Sequence, residues 1–179
     1  DPNAGERQIP FSREIYVERA DFREEANSKY RRLAPGKEVR LQHAYYVTCN
    51  DFVKDEQGEV VEIHCSYDPE TRGGWSEDGR KVKGTIHWVS CEHAIDADVR
   101  LYDHLFKVPN PNKYPEGEDY QYNLNEDSLI VLENCKLEPS LAEAKAGISY
   151  QFLRQGYYCV DEKDSSSDKI VINRTISLR

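Results

Sequence analysis

The sequence predicts an all-β protein. Three observations carry this reading: short stretches of alternating polar and apolar residues recur along the chain, turn residues separate them, and only two short segments show helix-start signals. Many short strands punctuated in this way build small barrels or a sandwich. The chain has 179 residues, 38% of them hydrophobic and 32% charged, enough for one medium domain or two small ones.

The elements follow in order. The stretch EIYVE at 14–18 alternates as a half-buried strand does, and EVRLQH at 38–43 does the same. In the second, Val39 and Leu41 share one face, which places Arg40 and Gln42 on the other. Residues 45–47 and 60–64 flank a turn at 54–58 and read as a β-hairpin. The stretch 67–79 is a loop rich in Asp, Gly and Pro, 81–90 is a strand with Val82, Ile86 and Trp88 at even spacing, and 99–106 is a further strand. The polar Pro/Asn/Gly stretch at 109–120 is the best boundary between sub-domains. Short strands are expected at 129–132, 150–152, 157–160 and 170–172, with a flexible loop at 165–168. Two short helices are expected. Asp21 to Glu24 has capping-box spacing and leads to Leu33 before Pro35-Gly36, and Ser140 to Glu143 is a second box, with Gly147 at its end.

Composition narrows the function. No run of about 18 apolar residues exists, so no membrane-spanning helix is expected. The first seven residues are polar and lack a signal-peptide core. Methionine is absent, even at position 1, and a piece of a longer chain is expected. Five cysteines without a C-x-x-C pair point to reduced thiols in the cytoplasm rather than to a disulfide framework or a zinc site. The net charge of -9 argues against a non-specific nucleic-acid binder, whose affinity comes from Lys and Arg on phosphates. Yet the charge is uneven. Residues 23–40 hold six basic and three acidic side chains, while 101–140 hold three basic and eight acidic ones. A local basic stretch on an acidic protein suits a small anionic target better than a long duplex.

Catalytic signatures are absent. There is no phosphate-binding loop, no dinucleotide fingerprint, no H-E-x-x-H and no G-x-S-x-G. The five histidines never fall at helical i, i+4 spacing, and nothing marks two carboxylates as an acid/base pair. A binding module is the reading that remains. Its candidate residues are Lys29, Arg31, Arg32, Arg40 and Gln42 from the basic stretch, with Gln151 and Arg154 from a distant strand. Arginine presents a rigid fork of donors that matches the O6/N7 edge of guanine, and glutamine both donates and accepts. Twelve tyrosines, five phenylalanines and two tryptophans supply rings on which unpaired bases stack.

Longer motifs give a family. IPFSREIY at 9–16, ERADFREEAN at 18–27, GKEVRL at 36–41 and GRKVKGTIHWVS at 79–90 resemble the anticodon-binding region of glutaminyl-tRNA synthetases. VRLYD at 99–103, EPSL at 138–141, the residues around Gln151 and Arg154, and NRT at 173–175 follow in the same order. The resemblance implies two β-barrels of the ribosomal 5S-RNA-binding-protein type with short helices. The first barrel would comprise 1–24 and 109–179, and the second, inserted, would comprise 25–108. It implies a class I ligase joining glutamine to tRNA(Gln), whose ATP and Mg²⁺ belong to a catalytic domain preceding this stretch. No cofactor is implied for the stretch itself. It further implies a cytoplasmic monomer whose partners are the anticodon loop and that catalytic domain.

By the same resemblance Arg32 falls where the family reads the third anticodon base, a guanine. Arg40 falls at the first base, C or U, and Gln151 at the middle uracil. Arg31 and Arg154 fall at neighbouring contact positions. Gln42 stands where the best-known bacterial pattern has arginine, and Lys29 where it has glutamine. An archaeal or eukaryotic-type glutamyl-tRNA synthetase is the nearest rival, and would read a third C. A non-enzymatic rRNA-binding barrel and a sugar- or protein-binding β-module are the others.

Overall fold

The computed structural model describes residues 5–166 and 169–178. Ser167 and Asp168, half of the expected loop at 165–168, lie outside the described residues. The chain divides into two compact units. Unit I is Pro10–Glu92, and unit II is Asp1–Ile9 together with His93–Arg179.

Unit I holds β1 (Ile15–Val17), β2 (Glu38–Leu41), β3 (Tyr46–Lys54), β4 (Val60–Asp68), β5 (Thr85–Ile86) and β6 (Trp88–Ser90). Strands β4-β3-β2-β5 form one sheet, and β1 pairs with β6 in another. The β3–β4 hairpin turns where the sequence predicts. There the Asp55 carboxylate accepts the N–H groups of Gln57 and Glu59 at 3.0 and 2.8 Å, an Asx turn. Alternation along β2 sends Val39 and Leu41 inward, at 1% and 0% exposure, beside their ladder partners Val47 and Ile86, which are buried as well. Phe11 closes the same unit, its ring 5.1 Å from those of both Tyr45 and Trp88.

Unit II holds β7 (Ile95–Tyr102), β8 (Leu129–Leu137), β9 (Ser149–Phe152), β10 (Gly156–Val160) and β11 (Ile170–Ser177) in the sheet order β8-β7-β11-β10-β9. Only β7 and β11 run parallel. Ala97, Val99, Leu137, Tyr158, Val160 and Ile172 form its core. Arg7 ties the N-terminal residues to it through two hydrogen bonds to the Glu138 carboxylate, at 2.5 and 3.1 Å.

The all-β class is as the sequence predicts, but the sheets of the described residues are open rather than closed barrels. In unit I, β5 is two residues long, and past His87 the chain leaves β2 to pair with β1. The expected single strand over 81–90 is therefore broken in two, and its first four residues are irregular. In unit II the ladder stops at β8 and β9.

The two expected helices are 3-10 turns, Arg19–Asp21 and Pro139–Glu143. Each capping residue takes another partner instead. Asp21 is buried and paired with Arg32, while Phe22 bridges to Leu33. The Ser140 hydroxyl donates to Glu138 at 2.7 Å. No helix of the described residues is long and apolar enough to cross a membrane. The five cysteines are free thiols.

Arg80 fastens the 67–79 loop. Its guanidinium donates to Asp68 and Asp78, and to both Glu38 carboxylate oxygens at 3.2 Å. Arg80 lowers the Asp68 pKa. For Asp78 the Ser76 hydroxyl is the largest cause, followed by the Arg80 N–H and guanidinium, and the value falls to about 2. Carboxylates with depressed folded-state pKa stabilise the fold above their unfolded value, and that contribution is lost as pH falls through the folded one. Thermal unfolding of Arg80→Gln is therefore expected to fall below that of the unaltered chain at pH 7. The gap is expected to narrow as pH drops from about 4 toward 2.

Candidate nucleic-acid interface

A cleft of roughly 420 Å³ on unit I gathers the basic stretch. It is lined by Arg31, Arg32, Lys37, Lys81 and Lys83, with Glu38 as its one acidic side chain and Tyr30 as its aromatic one. Local chemistry shapes the wall. The Asn27 side-chain oxygen accepts the N–H groups of Lys29 and Tyr30 at 2.9 and 3.1 Å, which folds 27–30 into an Asx turn. The Lys37 ammonium then donates to the carbonyls of Asn27 and Tyr30 at 2.8 and 3.0 Å. The Arg23 guanidinium sits 4.8 Å from the Tyr30 ring centroid, a cation–π contact. Burial pushes the Tyr30 phenol up, with Arg23 acting against it, so the hydroxyl stays a neutral donor at pH 7.

Arg32 is aimed by Asp21. The carboxylate is 1% exposed and accepts from one Nη of Arg32, whose side chain remains 31% exposed in the cleft. A guanidinium has five N–H donors, so one ion pair orients the fork and leaves donors for a ligand. Arg31 is exposed, and its Nη1 donates to the Ser28 carbonyl at 2.8 Å. Gly84 also lines the cleft, packed against Arg31. A Cβ there would lie 1.9 Å from the Arg31 carbonyl oxygen, so the two backbones touch directly.

The remaining candidates are placed elsewhere. Lys29 lies on the same Asx turn, exposed, outside the cleft lining. Arg40 stands on β2, with its guanidinium carbon 5.7 and 5.5 Å from the Tyr46 and Trp75 rings. Gln42 lies one residue past the end of β2, in a turn where His43 has φ 57°, so alternation no longer governs its side chain. Its side-chain amide nitrogen pairs with the His43 ring at 2.9 Å, and its backbone carbonyl accepts the Trp88 indole N–H at 3.0 Å. Gln151 and Arg154 belong to unit II. Gln151 points outward from β9, and Arg154 sits in the β9–β10 turn at φ 70°. Sequence reasoning missed Lys81 and Lys83. The signal was Gly84 inside an otherwise strand-like run, which marks close backbone approach.

The arrangement is a cationic, aromatic-edged cleft with one oriented guanidinium, suited to an unpaired base and its phosphates. Two family models, both described as tRNA synthetases class I (E and Q), anti-codon binding domain, match residues 1–68 and 85–161. The chain belongs to this family of anticodon-binding domains. Among its relatives, the glutamine–tRNA ligases of Vibrio parahaemolyticus, Tolumonas auensis and Aliivibrio fischeri are each 54% identical over 178 residues, 99% of this chain. The chain spans just under a third of their length, 31% of the first and 32% of the other two.

Proposed function

We propose that the chain reads the anticodon loop of tRNA(Gln) as part of a glutamine–tRNA ligase. The observation that carries the proposal is the Arg32 fork, held by Asp21 at the mouth of a cleft with four further cations. Arg32 donates to O6 and N7 of the third-position guanine, the pairing by which arginine distinguishes guanine from other bases. Arg40 serves the first base and Gln151 the middle uracil, where an amide answers both O4 and N3–H. Arg31, Arg154 and Lys29 contact neighbouring groups. Gln42 contributes its turn rather than a cation, since its amide is committed to His43. One anticodon module is inserted within the other along the chain. ATP and Mg²⁺ serve the catalytic part of the longer protein, a cytoplasmic monomer in this reading.

Lys81 and Lys83 supply the phosphate contacts that position the loop without reading it. Replacing Lys83 with alanine is expected to weaken all anticodon stem-loops about equally and to reduce the salt slope by about one. Lys37→Ala should do the same and also destabilise the fold by about 1 kcal/mol, since its ammonium holds two backbone carbonyls. Binding isotherms over a salt series check both. A Lys83→Ala loss confined to one anticodon would place Lys83 on a base and not on a phosphate.

A further inference from the structure

The loop between β4 and β5 carries a feature that the reading above does not use. Trp75 is 76% exposed, more than any other large hydrophobic side chain of the described residues. A single exposed apolar side chain is ordinary on a folded protein, so the neighbours of Trp75 and not its exposure alone carry the argument. The loop that carries it is well anchored. Thr71 is 1% exposed, and its hydroxyl accepts the Tyr46 N–H at 2.8 Å and donates to the Asp68 carbonyl at 2.7 Å. The Gly74 N–H donates to the Thr71 carbonyl at 2.8 Å, and Arg80 ties the loop to Asp68.

The anchoring brings Trp75 to Arg40. Gly74, at φ 85°, lies so close that a Cβ would stand 2.9 Å from Arg40 Cδ. The Arg40 guanidinium carbon is then 5.5 Å from the Trp75 ring and 5.7 Å from the Tyr46 ring, while its Nε is buried with no hydrogen-bond partner. Among the described residues the guanidinium is held by rings rather than by a carboxylate ion pair.

We propose that Trp75 is a stacking platform for the base bound at Arg40. The proposal rests on the anticodon reading above. Every base has a π-face, so stacking on indole adds affinity without selecting among bases. The platform therefore accepts either pyrimidine at the first position, and selection rests with hydrogen-bond donors elsewhere.

The test measures binding of this chain to stem-loops carrying CUG, UUG, or CUG with an abasic first position. Trp75→Ala is expected to weaken the CUG and UUG loops by on the order of tenfold, and Trp75→Phe by no more than about threefold. The abasic loop should bind the unaltered chain and Trp75→Ala equally. Trp88 is 6% exposed, so a drop in tryptophan emission on binding CUG, missing with the abasic loop, reports Trp75 directly. Trp75→Ala binding that matches the unaltered chain on CUG, or falls by the same factor on intact and abasic loops, overturns the platform. A retained preference for a third-position G would then leave the anticodon reading standing. Failure of the unaltered chain to bind any stem-loop removes both.

Discussion

Arg32→Ala is expected to lose about 1–3 kcal/mol of binding to a stem-loop ending its anticodon in G, and to bind G and C loops alike. Two terms contribute and are separable. The fork that matches guanine is removed, and the buried Asp21 carboxylate, 1% exposed, is left without its arginine. Arg32 is 31% exposed, so the pair lies between a solvated ion pair and a fully buried one, and its loss costs about 1–3 kcal/mol of stability. Arg32→Lys keeps a charge near Asp21 but not the planar fork, so it should recover most of the stability and little of the G preference. Asp21→Asn keeps Arg32 and removes its aiming charge, and should reduce the preference without abolishing binding. Unfolding curves beside binding isotherms assign each loss. Undiminished G-over-C preference in Arg32→Ala would place guanine recognition on another residue.

Gly84→Ala should be the most damaging small substitution in unit I. The new Cβ would lie 1.9 Å from the Arg31 carbonyl oxygen and 3.3 Å from Val39 Cγ1. Both neighbours are fixed, one as backbone and the other in the core at 1% exposure, so the 27–32 segment has to move. The expected cost is about 2–4 kcal/mol, at the upper end for overpacking because backbone and not a side chain must yield. Arg31 and Arg32 move with it, so RNA binding should fall even where the variant remains folded. Gly79→Ala is the control. It has φ 71° with nothing within 4 Å of a Cβ, and should cost only the roughly 1–2 kcal/mol of a left-handed alanine. Urea titration of the two variants checks the ranking.

Strands such as β2 and β10 were legible because each buries one face. The inward Val39 and Leu41 of β2 and the Asx turn of the β3–β4 hairpin appear where alternation and turn chemistry put them. The helix over 21–33 was not legible as absent. Its capping box is real as a spacing, but Asp21 takes Arg32 as its partner, and that pairing across 11 residues outweighs local propensity. The strand at 81–90 fails for a similar reason, since Gly84 must lie against Arg31 and the chain changes partner at His87. Of the site, Arg31 and Arg32 were visible as a cationic pair and by resemblance. Lys81 and Lys83 were not, because cations on a strand-like run look like solvated surface until the fold brings them across the cleft. Trp75 sat in a stretch that reads only as loop.

The most direct test of the central claim is fluorescence-anisotropy binding of the chain to anticodon stem-loops carrying CUG and CUC, at two salt concentrations. Base readout by Arg32 predicts that CUG binds more tightly by about 1–3 kcal/mol, with the preference kept as salt rises and both affinities fall. Equal, strongly salt-dependent binding to the two loops, or a preference for CUC, would contradict it.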